Sequence, residues 1–142
     1  MSAIEALEGQ LRAQPRTWLI TGVAGFIGSH LAEHLLGLGQ RVVGIDNFDT
    51  GTPDNLEALL SAAEAKGASD ARARFAFHER DVRELAACLA SCEGVDHVLH
   101  EAALASVPRT IAEPELAQAV NVGGTFNVLE AARRSGVRSV VL

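Results

Sequence analysis

The run Thr21-Gly22-Val23-Ala24-Gly25-Phe26-Ile27-Gly28 leaves this chain the fewest possible folds. Its glycines sit between a β-prone stretch, Thr17 to Thr21 (TWLIT), and a helical stretch over residues 26 to 38 that Gly37 and Gly39 break. Glycine takes positive φ without a Cβ clash, so such a run turns a strand sharply into a helix. The alternation then repeats. Arg41 to Asp46 (RVVGID) reads as a second buried strand, and Asp54 to Lys66 as a helix started by Pro53 and Asp54, with Gly67 to Asp70 as a loop. Arg72 to His78 alternates charged and apolar residues and reads as a third strand. Asp81 to Ser91 reads as a helix whose Asp81 and Glu84 fit a capping box. His97 to His100 follows as a fourth strand, Glu113 to Ser135 as a long helix and Val137 to Leu142 as a fifth strand. Such an order implies βαβ units, hence an α/β doubly wound parallel sheet of about five strands covered on both faces.

Ile4, Leu7 and Leu11 stand at helical spacing, so residues 3 to 13 read as a leading helix that ends near Pro15. The chain thus divides into a helical extension, 1–16, and a sheet domain, 17–142. Leu142 follows Val140 and Val141 with no turn residue or polar tail, which reads as a domain cut within its fifth strand. Twelve Lys and Arg against eighteen Asp and Glu leave a net charge of −6, the wrong sign for a nucleic-acid or anionic-membrane surface. No apolar run is long enough to span a bilayer, and residues 1 to 16 lack the pattern of a signal peptide, so the cytoplasm is expected. Cys88 and Cys92 make no disulfide framework and suit a reducing compartment. Tyrosine is absent, which excludes any mechanism relying on a tyrosine acid or base within these residues.

A glycine run alone is weak. Here a strand precedes it, a helix follows it, and an acidic residue, Asp46, ends the next strand. The helix N-terminus offers free N–H groups and a positive dipole end to a pyrophosphate, and the acidic residue a partner for ribose hydroxyls. The spacing G-x-x-G-x-x-G differs from the G-x-G-x-x-G of many dehydrogenases, yet the combination reads as dinucleotide binding. A carboxylate at Asp46, followed by neutral Asn47, favours NAD over NADP because it would repel a 2′-phosphate.

The runs TWLITGVAGFIGSHLAEHLL, VVGIDNFDTG, HERDVREL, VDHVLHEAALASVPRTI and NVGGTFNVLEAARRSGVRSVV, in that order, resemble the extended short-chain dehydrogenase/reductases that act on nucleotide sugars. Among these the chain is most similar to the UDP-N-acetylglucosamine and UDP-glucose 4-epimerases. The resemblance implies a Rossmann fold and an NAD cofactor. It assigns Gly22, Gly25 and Gly28, with the backbone of Phe26 and Ile27, to the pyrophosphate. Asp46 and Asn47 become ribose contacts, Thr50 and Gly51 the stretch beside the adenosine, and Asp81 and Val82 the pair flanking adenine. Ala102 and Ala103 pass under the nicotinamide ribose, with Asn121 nearby. Ser106 and Arg109 fall where the family begins to meet its sugar nucleotide, although a plain surface loop explains them equally. Glu101 departs from the family's usual neutral or aromatic residue. Gly123 replaces a common aspartate, setting two glycines side by side in a helix at about 1 kcal/mol each relative to alanine.

The resemblance further implies a UDP-sugar substrate, a homodimer in the complete protein, and a chemistry in which C4 of the sugar is oxidised by NAD and re-reduced on its other face. The family's Y-x-x-x-K pair and substrate domain follow the fifth strand. The expectation for these 142 residues is therefore NAD binding without catalysis. A sugar-nucleotide dehydratase or decarboxylase shares the same motifs, although Ser-Val-Pro-Arg-Thr favours the epimerase. A non-catalytic NAD module is the alternative from another class.

Two constellations imitate metal sites. His30, Glu33 and His34 spell H-x-x-E-H, but the helical wheel sets them opposite Ile27, Leu31 and Leu35, on a solvated face. Cys88, Cys92, His97 and His100 are too closely spaced for a zinc finger, and the thiols read as small core hydrophobes. No metal is expected.

Overall fold

In the computed structural model, which describes residues 2–142, five parallel strands make one sheet. The elements run α1 (Ala3–Ala13), β1 (Thr17–Thr21), α2 (Phe26–Gly37), β2 (Arg41–Asp46), α3 (Pro53–Ala65), α4 (Ala71–Arg74) and β3 (Phe75–Glu79). There follow α5 (Leu85–Ser91), β4 (His97–His100), α6 (Val107–Ala112), α7 (Pro114–Gln118), a π-helical segment (Ala119–Gly124), α8 (Thr125–Arg134) and β5 (Ser139–Val141).

The strand order β3-β2-β1-β4-β5 means that the sheet grows first to one side of β1 and then to the other. Thr21, at the end of β1, pairs with Ile45 on one side and His100 on the other. Open α/β sheets leave a crevice outside the carboxyl ends of their strands at this reversal. Side chains alternate across the sheet, as the period of two requires. Leu19, Ile45 and Val98 pack with Cys88, Val128 and Ala131, from α5 and α8, and with Cys92, which ends α5, on one face. Ile20 and Val42 pack with Leu36, Leu59 and Ala63, from α2 and α3, on the other. The doubly wound sheet expected from the sequence is thus present with its strand order defined.

Ser2 and Glu5 form a reciprocal capping box on α1, which buries none of its residues. The helix is fastened through Gln40, which is fully buried. The Gln40 amide donates to the carbonyls of Leu11 (2.8 Å) and Leu38 (3.1 Å) and accepts from the Arg16 N–H (2.9 Å) and the Trp18 indole (3.2 Å). Among the described residues no helix is long and apolar enough to cross a membrane.

Four local expectations are corrected. Arg72 to Arg74 are the end of the helical turn α4, and β3 begins only at Phe75. The Arg74 guanidinium reaches back to the carbonyls of Leu36 and Gln40, which holds the turn against the sheet edge. Asp81 caps no helix: α5 starts at Leu85, and the Asp81 carboxylate accepts instead from the Arg83 N–H and guanidinium and from the Asn47 amide. The long helix begins at Pro114 rather than Glu113 and is interrupted by the π segment. Finally, Ser106 to Thr110 is not a plain loop, since Ser106 accepts from the Arg109 N–H and starts α6.

The paired glycines of the π segment behave differently. A Cβ on Gly124 would stand 2.6 Å from Val82 Cγ2, whereas one on Gly123 would meet nothing closer than the Gln118 carbonyl at 4.0 Å. Gly123→Ala should therefore raise stability by up to about 1 kcal/mol through helix propensity, while Gly124→Ala should lower it by about 1–3 kcal/mol through overpacking. Urea unfolding midpoints of the two variants check the opposite signs.

Candidate dinucleotide site

The glycine turn is shaped by what cannot be there. Gly22 has φ +69°, and a Cβ on it would lie 2.8 Å from the Ala102 nitrogen, so no other residue lets the chain leaving β4 pass so close. A Cβ on Gly28 would fall 2.2 Å from the Gly22 carbonyl oxygen, which presses the start of α2 onto the turn. Gly25 is the N-cap of α2 and has no side chain to offer, so the N–H groups of Phe26, Ile27 and Gly28 have no acceptor within the helix. Phe26 is 80% and Ile27 58% exposed, and the buried face of α2 is carried by Gly28, Ser29, Ala32, Leu35 and Leu36. The helical wheel sets Ile27 on that packing face; in the structure it lies outside it, and Gly28 packs against the turn.

Asp46 is buried at the end of β2. Its carboxylate accepts the Ala24 N–H and the Phe48 N–H, each at 2.9 Å, and so binds the glycine turn to the chain that follows β2. Each carboxylate oxygen can accept more than one hydrogen bond, which leaves capacity for a hydroxyl donor. Gly51 is buried against Ala24, whose carbonyl accepts from Asn55 at 2.6 Å. Asn47 donates to Asp81 at 2.9 Å, joining the ends of β2 and β3.

Between these ends lies a cleft bounded by Gly22, Gly25, Asp46, Asn47, Thr50, Asp81, Val82, Ala102 and Ala103, all of them expected from the sequence. Its walls also include Asp49, Arg80, Glu101, Leu104 and Val120. Arg80, Leu104 and Val120 carry no signal in the sequence, since they arrive through the turns after β3 and β4 and through the π segment. Asn121 does not line the cleft. Its side-chain amide instead accepts the Leu104 N–H (2.8 Å) and donates to the Leu104 carbonyl (3.1 Å), bracing the wall from behind. Ser106 and Arg109 also lie outside the lining. The Arg109 guanidinium bonds both oxygens of Asp49 (2.5 and 3.1 Å) and one of Glu113 (2.8 Å), tying α6 to the rim of the cleft.

The arrangement fits an extended dinucleotide. Unpaired helix N–H groups over a turn stripped of side chains suit a pyrophosphate, and a carboxylate at the end of β2 suits ribose hydroxyls. Acidic residues crowd the cleft, but cations answer two of them. Arg109 holds Asp49 below the usual carboxylate range, and Arg83, helped by backbone and Asn47 donors, holds Asp81 down at about 2.

The decoy metal ligands are occupied elsewhere. His30 bonds the Phe26 carbonyl, Glu33 pairs with Lys66 and His34 with Glu8. Cys88 and Cys92 are buried, free thiols, pushed up to about 11 by desolvation.

The depressed acidity of Asp81 has a consequence for stability. Its folded-state pKa lies below its unfolded one, so the stabilisation is complete above about pH 4 and is lost as the pH falls towards 2. Asp81→Asn should cost about 1 kcal/mol at neutral pH after solvent screening, and the gap from the parent chain should close near pH 2. Urea unfolding at the two pH values reads it.

Comparison with known proteins agrees with the geometry. The family described as "NAD dependent epimerase/dehydratase family" matches residues 18–142. A UDP-glucose 4-epimerase of Mycolicibacterium smegmatis is 39% identical over 125 residues, covering 87% of this chain and 36% of that protein. Among solved structures, a UDP-glucose-4-epimerase of Stenotrophomonas maltophila with bound NAD and formylated UDP-arabinopyranose superposes with TM-score 0.78 at 28% identity, covering 88% of this chain and 35% of that one. A dTDP-glucose 4,6-dehydratase of Streptomyces venezuelae with NAD and TYD bound gives TM-score 0.75 at 32% identity, covering 87% and 38%. The chain thus spans about a third of the length of these relatives. By sequence match, strand order and turn geometry together, it belongs to the NAD dependent epimerase/dehydratase family, within the extended short-chain dehydrogenase/reductases.

Proposed function

We propose that this chain is the NAD-binding portion of a nucleotide-sugar 4-epimerase. The observation that carries the reading is Asp46: a buried carboxylate at the end of β2, fixed by two N–H donors beside a turn with unpaired helix N–H groups. In this reading the N–H groups of Phe26, Ile27 and Gly28 hold the pyrophosphate, and Asp46 and Asn47 the adenosine ribose. Thr50 and Gly51 border the adenosine, Asp81 and Val82 flank the adenine, and Ala102 and Ala103 form the floor under the nicotinamide ribose. Asn121 supports that floor through Leu104. NAD held by these residues would supply a reversible hydride acceptor, and the part played by this chain is to seat and orient it. No tyrosine is available to move the sugar hydroxyl proton, so we expect cofactor binding without turnover from these 142 residues.

The complete enzyme is proposed to act on a UDP-sugar, with Ser106 and Arg109 at the border of its substrate. Arg109 must then exchange part of its contact with Asp49 and Glu113 for substrate. The strip Val122, Phe126 and Leu129, 63%, 64% and 41% exposed at helical spacing, supports a homodimer joined through the long helix. A cytoplasmic setting suits the two free thiols. A dehydratase would use the same cofactor seat, and the likeness to the Streptomyces dehydratase keeps that reading next in line.

Isothermal titration with NAD and NADP tests the cofactor assignment. NAD should bind at least about tenfold more tightly than NADP, and Asp46→Asn should weaken NAD by about the same factor. Equal affinities for the two nucleotides would sink the role given to Asp46.

A further inference from the structure

Among the described residues, His100, at the end of β4, is the one buried histidine with both ring nitrogens bonded to side chains of other elements. Nδ1 lies 2.6 Å from the Thr21 hydroxyl, and Nε2 lies 3.0 Å from the Thr125 hydroxyl. The proton positions follow from the neighbours. The Thr125 hydroxyl donates to the Asn121 carbonyl at 2.7 Å, so towards His100 it can only accept, and Nε2 must carry a hydrogen. Thr21 accepts the Ala102 N–H at 3.1 Å, and its own proton has one remaining acceptor, Nδ1. A ring protonated on Nδ1, or on both nitrogens, would leave the Thr21 proton buried without a partner.

The bonds therefore run in one direction: Ala102 N–H to Thr21, Thr21 to His100, His100 to Thr125, Thr125 to the Asn121 carbonyl. The Asn121 side chain then closes the circuit onto Leu104, two residues beyond the starting point. Ala102 to Leu104 is thus held at both ends, from the sheet through Thr21 and from the π segment through Asn121. With its proton taken by His100, the Thr21 hydroxyl is held in one orientation, with a lone pair towards the Ala102 N–H.

We infer that His100 is a positioning residue for the cofactor: as the neutral Nε2–H imidazole it sets the Ala102–Leu104 wall against the nicotinamide half of the bound dinucleotide. The inference rests on the cofactor reading above. It distinguishes the two halves of the cleft, because the adenosine contacts come from the ends of β2 and β3, whereas the circuit runs from the end of β1 through β4 to α8 and the π segment. Burial, with no carboxylate paired to the ring, keeps the imidazole pKa below its ordinary value, consistent with a neutral tautomer.

The test compares NAD with ADP, which occupies only the adenosine half, by isothermal titration of the chain. His100→Phe, which fills the space without either nitrogen, should weaken NAD roughly tenfold and leave ADP within about twofold. Thr125→Val, nearly the same shape, should act in the same direction, and Thr125→Ser should restore NAD binding. Nitrogen-15 NMR of the unsubstituted protein should show Nε2 protonated and Nδ1 bare, a readout that needs no variant to fold. NAD and ADP weakening together, NAD affinity unchanged, or a proton on Nδ1 would each overturn the inference. Failure of the unsubstituted chain to bind either nucleotide would overturn the cofactor reading and this role with it.

Discussion

The close passage of Ala102 over Gly22 is the contact on which the rest of the site depends. It sits where the sheet reverses its direction of growth, so it decides how far apart the β1 and β4 ends stand and thus where the crevice opens. A side chain there would force the two backbones apart. The glycine turn could then keep its φ angles and still lose the wall opposite it. Asp46 does the equivalent on the other flank, drawing the turn towards β2 through the Ala24 N–H. The turn is clamped from both neighbouring strands, and neither clamp is a hydrophobic contact.

Charge in the cleft follows a related logic. Asp46, Asp49, Asp81 and Glu101 all border it, which would repel an anionic ligand if each carboxylate pointed its full charge inward. Asp46 faces two backbone donors, Asp49 faces Arg109, and Asp81 faces Arg83. The residues that make the wall acidic are therefore largely spoken for by groups outside it.

Legibility in the sequence divides by the range of the forces involved. β1, β2 and β4 were readable to the residue, because a buried parallel strand needs a short apolar run and little else. The glycines of the turn were readable because a sharp strand-to-helix turn calls for them, and Asp46 because an acidic residue ending the next strand completes a recognisable pattern. Arg72 to Arg74 misled because their alternation mimics a strand, while a distant pair of carbonyls, those of Leu36 and Gln40, decides the outcome. Asp81 had the right spacing for a cap, yet Arg83 and Asn47 compete for its oxygens. Ser106 followed closely by Pro108 is a helix-start signal, and it outweighs the features of a plain loop. The π segment left no trace at all, as it shifts hydrogen-bond register without changing the apolar pattern. Asn121 was found by resemblance near the site, but its action on the Leu104 backbone belongs to that hidden register.

Gln40 bears on a different matter. The helix α1 lies outside residues 18–142, the span matched by the family, and is fastened by a side chain from within that span. What Gln40 grips are a carbonyl at Leu11 and an amide at Arg16, atoms present whatever residues stand there, proline at 16 excepted. The joint therefore places few demands on the letters of α1, and mutation could accumulate along that helix while its seat endured.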